Sequence, residues 1–335
     1  HRYLHYPLRR QRQMCIRDSL GSDHGKMFMR SPYMIPEINE GVVDEDSLGG
    51  AEQHASRSGV ACMVADDEQD AFDIVAEILS FLPDHTLAEP LVLRGSDAWD
   101  RKCEGLEELV PSDPNRPYDM RKVIKEIVDE GRFLELSEYY AENVVIGFAR
   151  LDGHSVGIVG NQPSVLAGCL DIDASVKAAR FIRTCDCYNI PIVTFVDVPG
   201  FLPGTVQEWG GIIRHGAKLL YSYAEATVPK LAVVTRKAYG GAYLAMSCKH
   251  LGSDYNVSWP GGELAVMGAE GAVNIIHRKE LSEASDGWGQ ERANQRVQDQ
   301  IWRSVRSSQA RMARRCCRAF RNQETIGEGT QAPIE

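Results

Sequence analysis

The sequence predicts an α/β protein whose helices pack on a largely parallel sheet. Two apolar runs, at residues 192–196 and 231–235, have the length and composition of buried parallel strands. A helical pattern follows each run, and strands that alternate with helices are typical of a parallel sheet. Both runs end in glycine-rich segments. Because α/β proteins bind ligands at the carboxyl ends of their strands, we expect the functional site there.

The N-terminal part is predicted to contain one clear helix and a linker. Asp66 or Asp67 can cap the helix, and Pro83 ends it. Its apolar residues recur at helical spacing, at Phe72, Val75, Ile78, Leu79 and Leu82. Residues 87–113 show no sustained period and are interrupted by Pro90, Gly95 and Pro111, so we expect a linker there and a domain boundary at residues 111–117.

Strand and helix patterns alternate from residue 118 onward. A hairpin is expected where strands 144–151 and 155–160 flank Asp152-Gly153, because this dipeptide favours the positive φ values of a tight turn. Asp173 is the candidate cap of a helix at residues 174–188. The other predicted elements are helices at residues 118–129 and 206–224 and short strands around Val257 and Leu264.

The composition is that of a globular protein large enough for two domains. The chain has 335 residues, of which 43% are hydrophobic and 25% charged. No apolar run approaches the roughly 20 residues that span a bilayer, and charges stand where a signal peptide has its apolar region. We therefore expect a cytoplasmic protein without a membrane segment. The nine cysteines show no C-x-x-C spacing and no histidine cluster, so we expect reduced thiols, mostly in the core, and no metal site.

Charge is unevenly distributed along the chain, whose net charge is −10. Residues 1–19 and 287–335 each carry +4, so residues 20–286 carry −18. The basic ends can be interpreted as solvated tails or as anion-binding segments, but aromatic residues are too sparse there to predict nucleic-acid binding. We interpret residues 1–19 as spurious or disordered sequence and residues 282–335 as an anomalous basic tail that arose from a sequencing or frame error.

The two glycine-rich junctions are the candidate site. Gly240, Gly241 and Ala242 open a predicted helix without bulky side chains, so a ligand atom can reach the amides of Gly241 and Ala242. Unpaired amides at a helix N-terminus stabilise an oxyanion without a catalytic side chain, which favours enolate chemistry. Close packing of helix against strand is the alternative explanation of these glycines. Gly200 and Phe201 end the other strand, where an ordinary connecting loop is the alternative.

Other kinds of site find little support. His215, His250 and His277 have no partner at the spacing of a metal site or catalytic triad, and no nucleophile motif accompanies them. The sequence contains neither a G-x-x-x-x-G-K-[ST] loop nor a G-x-G-x-x-G fingerprint. Nucleotide hydrolysis and dinucleotide binding are therefore not predicted.

Six long motifs occur in order along the C-terminal part. They are Asn161-Gln-Pro, Ala167-Gly-Cys-Leu-Asp-Ile-Asp173, Val196-Asp-Val-Pro-Gly-Phe-Leu-Pro-Gly204, Ile213-Arg-His-Gly-Ala-Lys218, Arg236-Lys-Ala-Tyr-Gly-Gly-Ala-Tyr243 and Ala265-Val-Met-Gly-Ala-Glu-Gly271. Together they resemble the carboxyltransferase (β) subunit of biotin-dependent acyl-CoA carboxylases, nearest the propionyl-CoA type. The resemblance covers residues 113–281, and residues 48–83 resemble the end of the family's first half.

The resemblance implies a crotonase-like (ClpP/crotonase) ββα superhelix, with this chain mainly the second of two duplicated halves. In the family the first half holds the acyl-CoA, and the second half receives carboxybiotin across a subunit interface. Carboxybiotin releases CO2, the ureido anion takes the α-proton of the acyl thioester, and the enolate captures CO2. The implied partners are a biotin carboxylase and a biotin carboxyl carrier subunit, and the implied homo-oligomer is a trimer of dimers.

The family's motif also assigns site residues. Gly241 and Ala242 would be the oxyanion donors of this half. The substrate and biotin pocket would be lined by Gly200, Phe201, Gly240, Tyr243 and Leu244. Leu244 stands where many propionyl-CoA carboxylases have Asp, a position that influences acyl-chain choice, so propionyl-CoA and acetyl-CoA are both candidate substrates.

Two departures from the family suggest a fragment. Most of the first half is missing before Leu20, and the family's terminal segments are not found after Leu281. We divide the chain into residues 1–19, residues 20–112 as the end of the first half plus a linker, residues 113–281 as the biotin-side domain, and the tail 282–335. We expect this chain to be inactive alone. The alternatives are the carboxyltransferase subunit of a biotin-dependent decarboxylase and a non-catalytic crotonase-like assembly module.

Overall fold

Short elements make up the N-terminal part. The computed structural model describes residues 19–21, 25–29, 44–85, 87–98, 101–103, 105–111 and 113–268. Strand β1 (Ser19–Gly21) pairs in parallel with β2 (Met63–Ala65). The elements of this part that lie outside the two strands are α1 (Glu45–Gly49), α2 (Ala51–Gln53), a π-helical turn at His54–Ser58, α3 (Glu68–Phe81) and α4 (Leu106–Leu109).

A seven-stranded sheet organises residues 113–268. Its strands are β3 (Phe133–Leu136), β4 (Val144–Leu151), β5 (His154–Asn161), β6 (Ile192–Val198), β7 (Lys230–Tyr239), β8 (Tyr255–Ser258) and β9 (Glu263–Ala265). Their order is β3-β4-β5-β6-β7-β8, and β9 pairs with the carboxyl end of β7. Strands β3, β4 and β5 are antiparallel, whereas all pairs from β5 onward are parallel. The predicted parallel sheet and hairpin are confirmed.

Helices cover both faces of this sheet. They are α5 (Met120–Ile127), α6 (Ile172–Cys187), α7 (Thr205–Gly210), α8 (Ile212–Glu225) and α9 (Gly240–Ala245). Alternate residues of β4 point to opposite faces: Ile146 and Phe148 join the core beneath α6 and α8, while Val145 joins the core beneath α5. A sheet buried on both faces explains why its strands read as continuous apolar runs.

The hairpin turn has the geometry that its sequence predicts. Asp152 and Gly153 have φ values of 50° and 78°, the positive values that a tight two-residue turn requires. The Asp129 carboxylate accepts hydrogen bonds from both turn amides, at 3.0 Å from Asp152 and 2.7 Å from Gly153. The turn is therefore fixed by its own dipeptide and by a residue that precedes the hairpin.

Some predicted helix ends are wrong by a few residues. Helix α6 is capped by Asp171, whose side chain accepts from the Ala174 amide at 2.8 Å, and not by Asp173. Asp67 does cap α3. Phe72 and Leu79 of that helix are exposed, because α3 has packing partners on one side only and buries Ile78 and Phe81 there.

The helix predicted at residues 206–224 is interrupted. Gly211 has a φ of 88° and ends α7, and α8 begins at the next residue. The apolar period runs across this break, because a side-chain pattern carries no information on φ. Strand β7, which follows α8, continues to Tyr239 and is longer than the apolar run at residues 231–235 that predicted it.

The expectation that most cysteines lie in the core is wrong for the described residues. The six cysteines within the described residues are free thiols, but only Cys185 and Cys248 of them are buried, so most are not core residues. None of the helices within the described ranges is long and apolar enough to cross a membrane.

Candidate active site

The two glycine junctions lie at one edge of the sheet. Strands β6 and β7 are parallel neighbours, and Val198 pairs with Ala238 near their carboxyl ends. The loop that begins after Val198 and the helix α9 that begins at Gly240 therefore leave the sheet side by side. Helix α9 contacts both β6 and α8. The structure thus brings the two predicted halves of the site together.

The glycines at the start of α9 have different environments. Gly240 has a φ of 55°, and a Cβ atom there would lie 2.8 Å from the carbonyl oxygen of Val266. Close packing therefore explains Gly240. Gly241 is not among the glycines with positive φ, and a Cβ atom there would meet nothing within 4 Å. Packing does not explain Gly241, and the space in front of its backbone is open.

Ala242 combines a buried methyl group with a place in the first helical turn. Its side chain is 1% exposed and belongs to the core beneath α6 and α8. Tyr239, the residue before α9, has an extended backbone and its side chain does not cap the helix. The first amides of a helix have no intrahelical acceptor. Gly241 and Ala242 stand in this first turn, next to the carboxyl ends of β6 and β7.

The loop after β6 supports the opposite side of the site. A Cβ atom at Gly200 would also meet nothing within 4 Å. The Gly200 carbonyl accepts from the Leu170 amide at 3.1 Å, and the Leu170 carbonyl accepts from the Leu202 amide at 2.8 Å. Phe201 is half-buried and its ring packs against Gly216 of α8. Phe201 therefore anchors this loop to the core, while Gly200 leaves space open.

Tyr243 and Leu244 differ in exposure. Tyr243 is half-buried against the same core as Phe201, and burial raises the pKa of its phenol. Leu244 is 41% exposed. Leu244 is therefore not part of the core beneath α6 and α8.

A buried ion pair lies directly beneath both junctions, and the sequence did not predict it. Arg236 Nε donates to Asp197 Oδ2 at 3.0 Å, with side chains only 7% and 1% exposed. Arg236 Nη1 also donates to the carbonyls of Asp113 at 3.0 Å and Arg116 at 2.7 Å, and its guanidinium lies 4.9 Å from the centre of the Tyr118 ring. Burial raises the pKa of Asp197, and the Arg236 charge acts in the opposite direction.

Three other titratable groups lie at this edge: Tyr239, Glu263 and Lys237. The Tyr239 hydroxyl donates to the Glu263 carboxylate, and burial raises the pKa of Tyr239. Burial lowers the pKa of Lys237, with the neighbouring Arg236 charge as the next cause. Among the residues that the structure describes, these groups do not form a nucleophile–base pair.

Comparisons with known proteins identify the family of this chain. The family profile of the carboxyl transferase domain matches residues 20–320, which is most of the chain. This chain belongs to the carboxyl transferase domain family. Because the match includes both glycine junctions, the motifs that carried the resemblance are those of the family, and the recognition made from the sequence is confirmed.

Relatives of this carboxyl transferase domain chain take part in more than one reaction. It is 55% identical over 264 residues to the propionyl-CoA carboxylase carboxyltransferase subunit of Haloferax mediterranei, covering 79% of the chain and 51% of that protein. It is 54% identical over 256 residues to the methylmalonyl-CoA decarboxylase subunit alpha of Veillonella parvula, covering 76% of the chain and 50% of that protein. The chain therefore spans about half the length of these curated relatives.

Similarity to a solved carboxyl transferase structure identifies the fold. The hexameric transcarboxylase 12S, solved with methylmalonyl-coenzyme A and methylmalonic acid bound, matches with a TM-score of 0.81 and 44% identity. The match covers 95% of this chain and 62% of that one. The fold is crotonase-like, as the resemblance implied.

The histidines and cavities of this carboxyl transferase chain lie away from the junctions. His250 is exposed, His215 is half-buried and contacts Lys218 of its own helix, and His277 lies outside the described residues. An apolar cavity of about 170 Å³ is bordered by Gly59, Ile78 and Phe148, and none of its lining residues belongs to either junction.

Proposed function

We propose that this chain is the biotin-side part of an acyl-CoA carboxyltransferase. In this role it would help to transfer CO2 from carboxybiotin to the α-carbon of propionyl-CoA or acetyl-CoA. The observation that carries the proposal is Gly241, whose backbone faces open space although neither its φ nor its packing requires glycine. A site that must admit an oxygen atom to a backbone amide accounts for this residue, and family membership identifies the chemistry.

The residues of the chain would act by holding charge. Carboxybiotin on a carrier protein would supply the CO2. The amides of Gly241 and Ala242 would donate hydrogen bonds to an oxygen that gains negative charge during the reaction, and such donors contribute most when they are fixed before the reaction begins. The buried methyl group of Ala242 fixes them, because it ties the first turn of α9 to the core.

Proton transfer need not come from side chains of this edge. Asp197 is paired with Arg236, and Tyr239 is paired with Glu263. Either carboxylate would first have to leave its partner before it could act as a base. This supports a reaction in which the substrates supply the base and the protein supplies amides.

The same site could serve the reverse reaction. The 54% identity to a methylmalonyl-CoA decarboxylase subunit is close to the 55% identity to a carboxylase subunit, so a decarboxylase role is the second candidate. The partners distinguish the two. Isolation of the assembled protein from its native source should recover a biotin carboxylase and a biotin carboxyl carrier for the carboxylase, or a membrane-bound subunit for the decarboxylase. A non-catalytic assembly module is disfavoured, because assembly would not require open space at Gly241.

The direct test is an assay of the assembled enzyme. Carboxylated biotin carrier and propionyl-CoA or acetyl-CoA are supplied, and labelled methylmalonyl-CoA or malonyl-CoA is measured. Product is expected with at least one acyl-CoA. Failure to form either product, in an assembly that binds its carrier, would contradict the proposed function.

Leu244 is the proposed acyl-chain determinant. It is half-exposed on the helix that presents the Gly241 and Ala242 amides. Leu244→Asp is expected to change the ratio of kcat/KM between acetyl-CoA and propionyl-CoA by about 10-fold, which corresponds to ~1.4 kcal/mol of differential transition-state binding. Phe72→Asp is the control, because it places the same charge at an exposed apolar position of α3, in the N-terminal part. Equal ratios before and after Leu244→Asp would place Leu244 outside the acyl pocket.

A further inference from the structure

Asp197 occupies a break in the pairing between β6 and β7. Val196 pairs with Val234, and the next pair joins Val198 to Ala238. One residue of β6 therefore stands opposite three residues of β7, and the regular ladder of hydrogen bonds cannot continue. The Asp197 carboxylate bridges this gap. Its Oδ1 accepts from the Lys237 amide at 3.1 Å, and its Oδ2 accepts from Arg236 Nε at 3.0 Å.

This break lies immediately before both glycine junctions. Val198 stands two residues before Gly200, and Ala238 stands two residues before Gly240. The Asp197 bridge therefore fixes the register of β7 against β6 at their carboxyl ends. A change in this register would move the amides of α9 relative to the loop after β6.

Asp197 also holds the loop that follows β5. Its amide donates to Asn161 Oδ1 at 3.2 Å, and Asn161 Nδ2 donates to the Gly168 carbonyl at 3.3 Å. Through Arg236, the same bridge reaches the carbonyls of Asp113 and Arg116. Three loops of the sheet edge and the segment at the predicted domain boundary thus meet at one buried pair.

We infer that Asp197 and Arg236 are positioning residues of the anion site. They hold the Gly200 and Gly240–Ala242 junctions at the spacing that the reaction requires. Both side chains are buried, so they act through the backbone and not on the substrate. The inference rests on the proposed function for its effect on turnover, but the positioning itself can be measured without activity.

The test uses an isosteric variant and a matched control. Both Asp197 oxygens accept hydrogen bonds, and Asn offers only one acceptor oxygen, so Asp197→Asn must lose one bond without a change in size. The control is Glu135→Gln. Glu135 likewise accepts from an arginine Nε, that of Arg121, at 2.8 Å, but it lies on β3, three strands away from β6.

Turnover is measured in the assembled enzyme. Asp197→Asn is expected to lower kcat and kcat/KM together by about 10²-fold, the scale for a small misplacement of reacting groups. Glu135→Gln is expected to leave kcat unchanged at a comparable loss of thermal stability. Unchanged kcat in a folded Asp197→Asn enzyme, or an equal loss in both variants, would overturn the inference.

Two further measurements keep the inference open to contradiction. Hydrogen exchange of the residue 239–245 amides should be faster in Asp197→Asn than in Glu135→Gln, and equal rates would overturn the positioning role even if no activity were found. If Asp197→Asn does not fold, Arg236→Lys replaces it. Lysine keeps the charge but cannot reach Asp197 and both carbonyls together, so the same loss of kcat is expected. If the unmodified enzyme transfers no CO2, the proposed function fails and the exchange result stands separately.

Discussion

Adjacent glycines at the start of α9 are present for different physical reasons. Gly240 is required by its positive φ and by the Val266 carbonyl, which leaves no room for a Cβ atom. Gly241 meets neither condition. The sequence offered close packing and ligand approach as alternatives for the whole junction, and the structure assigns close packing to Gly240 alone. Substituting alanine for each glycine, which adds one methyl group, tests this difference.

The first prediction compares Gly240→Ala with Gly241→Ala. Gly240→Ala is expected to lower the free energy of unfolding by about 2 kcal/mol, because alanine resists a positive φ and its Cβ meets backbone at 2.8 Å. Gly241→Ala should change that free energy by less than about 1 kcal/mol. Its methyl group would nevertheless occupy the open space, so kcat/KM should fall. Urea unfolding and steady-state kinetics measure both, and full activity in Gly241→Ala would contradict ligand approach at this residue.

The second prediction removes one donor. Ala242→Pro deletes the Ala242 amide in the first turn of α9, where this amide has no intrahelical acceptor. It is expected to lower kcat by about 10²-fold or more, the scale for the loss of one oxyanion donor. Gln69→Pro is the control, since it places proline in the first turn of α3, outside the site. Equal turnover in both folded variants would exclude the Ala242 amide as a donor.

At the scale of elements, a buried lysine ties a strand connection to a helix. Lys177 of α6 donates to the carbonyls of Ser137 at 2.9 Å, Tyr140 at 2.7 Å and Ala141 at 3.3 Å. These residues connect β3 to β4, and Ser137 and Ala141 have positive φ values of 54° and 46°. Burial lowers the pKa of Lys177 to about 8. The ammonium therefore holds a strained connection in place at neutral pH.

This shift predicts how stability depends on pH. A lysine in the unfolded chain keeps its proton up to its ordinary pKa of 10.5, whereas folded Lys177, with its pKa lowered to about 8, releases its proton earlier. Between these values the unfolded state binds more protons, so the free energy of unfolding should rise with pH. Between about pH 8 and about pH 10, the free energy of unfolding of the unmodified protein should rise by about 2 kcal/mol more than that of Lys177→Met. Urea unfolding of both proteins at several pH values measures the difference, and parallel curves would contradict the lowered pKa.

Elements were predictable where their signals are local. The Asp152-Gly153 turn and the buried runs of β6 and β7 carry their own signals, and all three lie where expected. Strand β3 was missed because it has four residues and mostly half-buried side chains, so its apolar period is weak. The break at Gly211 was missed because the apolar period crosses it. Adjacent Gly210 and Gly211 were the available signal.

At the scale of the whole molecule, the glycine junctions were predictable and the ion pair that supports them was not. Gly240 and Gly241 form a contiguous motif after an apolar run. Asp197 and Arg236 are 39 residues apart, and their meeting depends on the parallel register of two strands. The available signal was a charged residue at the end of each run, because neighbouring parallel strands bring such residues to one edge.

An exposed apolar surface is a further feature at the scale of the whole molecule. At the corner where α7 meets α8, Val206, Trp209 and Ile213 are 79%, 87% and 80% exposed. Helix α8 contacts α9, the helix that begins at the proposed anion site. Exposed apolar clusters of this kind usually mark contact surfaces. The resemblance implies that residues from another subunit complete the site, which would cover this surface.

The last prediction follows from that surface and from the shared site that the resemblance implies. The purified 335-residue chain is expected to self-associate and to form no methylmalonyl-CoA or malonyl-CoA from carboxylated carrier and acyl-CoA. Trp209→Gln should reduce the self-association without a change in the free energy of unfolding, because the indole is almost fully exposed. Leu87→Gln is the control, since Leu87 is equally exposed but lies in the segment before the sheet. Light scattering measures the association, and labelled product measures the turnover. Robust turnover by a monodisperse monomer would contradict a site shared between subunits. Equal association of the Trp209→Gln and Leu87→Gln variants would place the contact surface elsewhere.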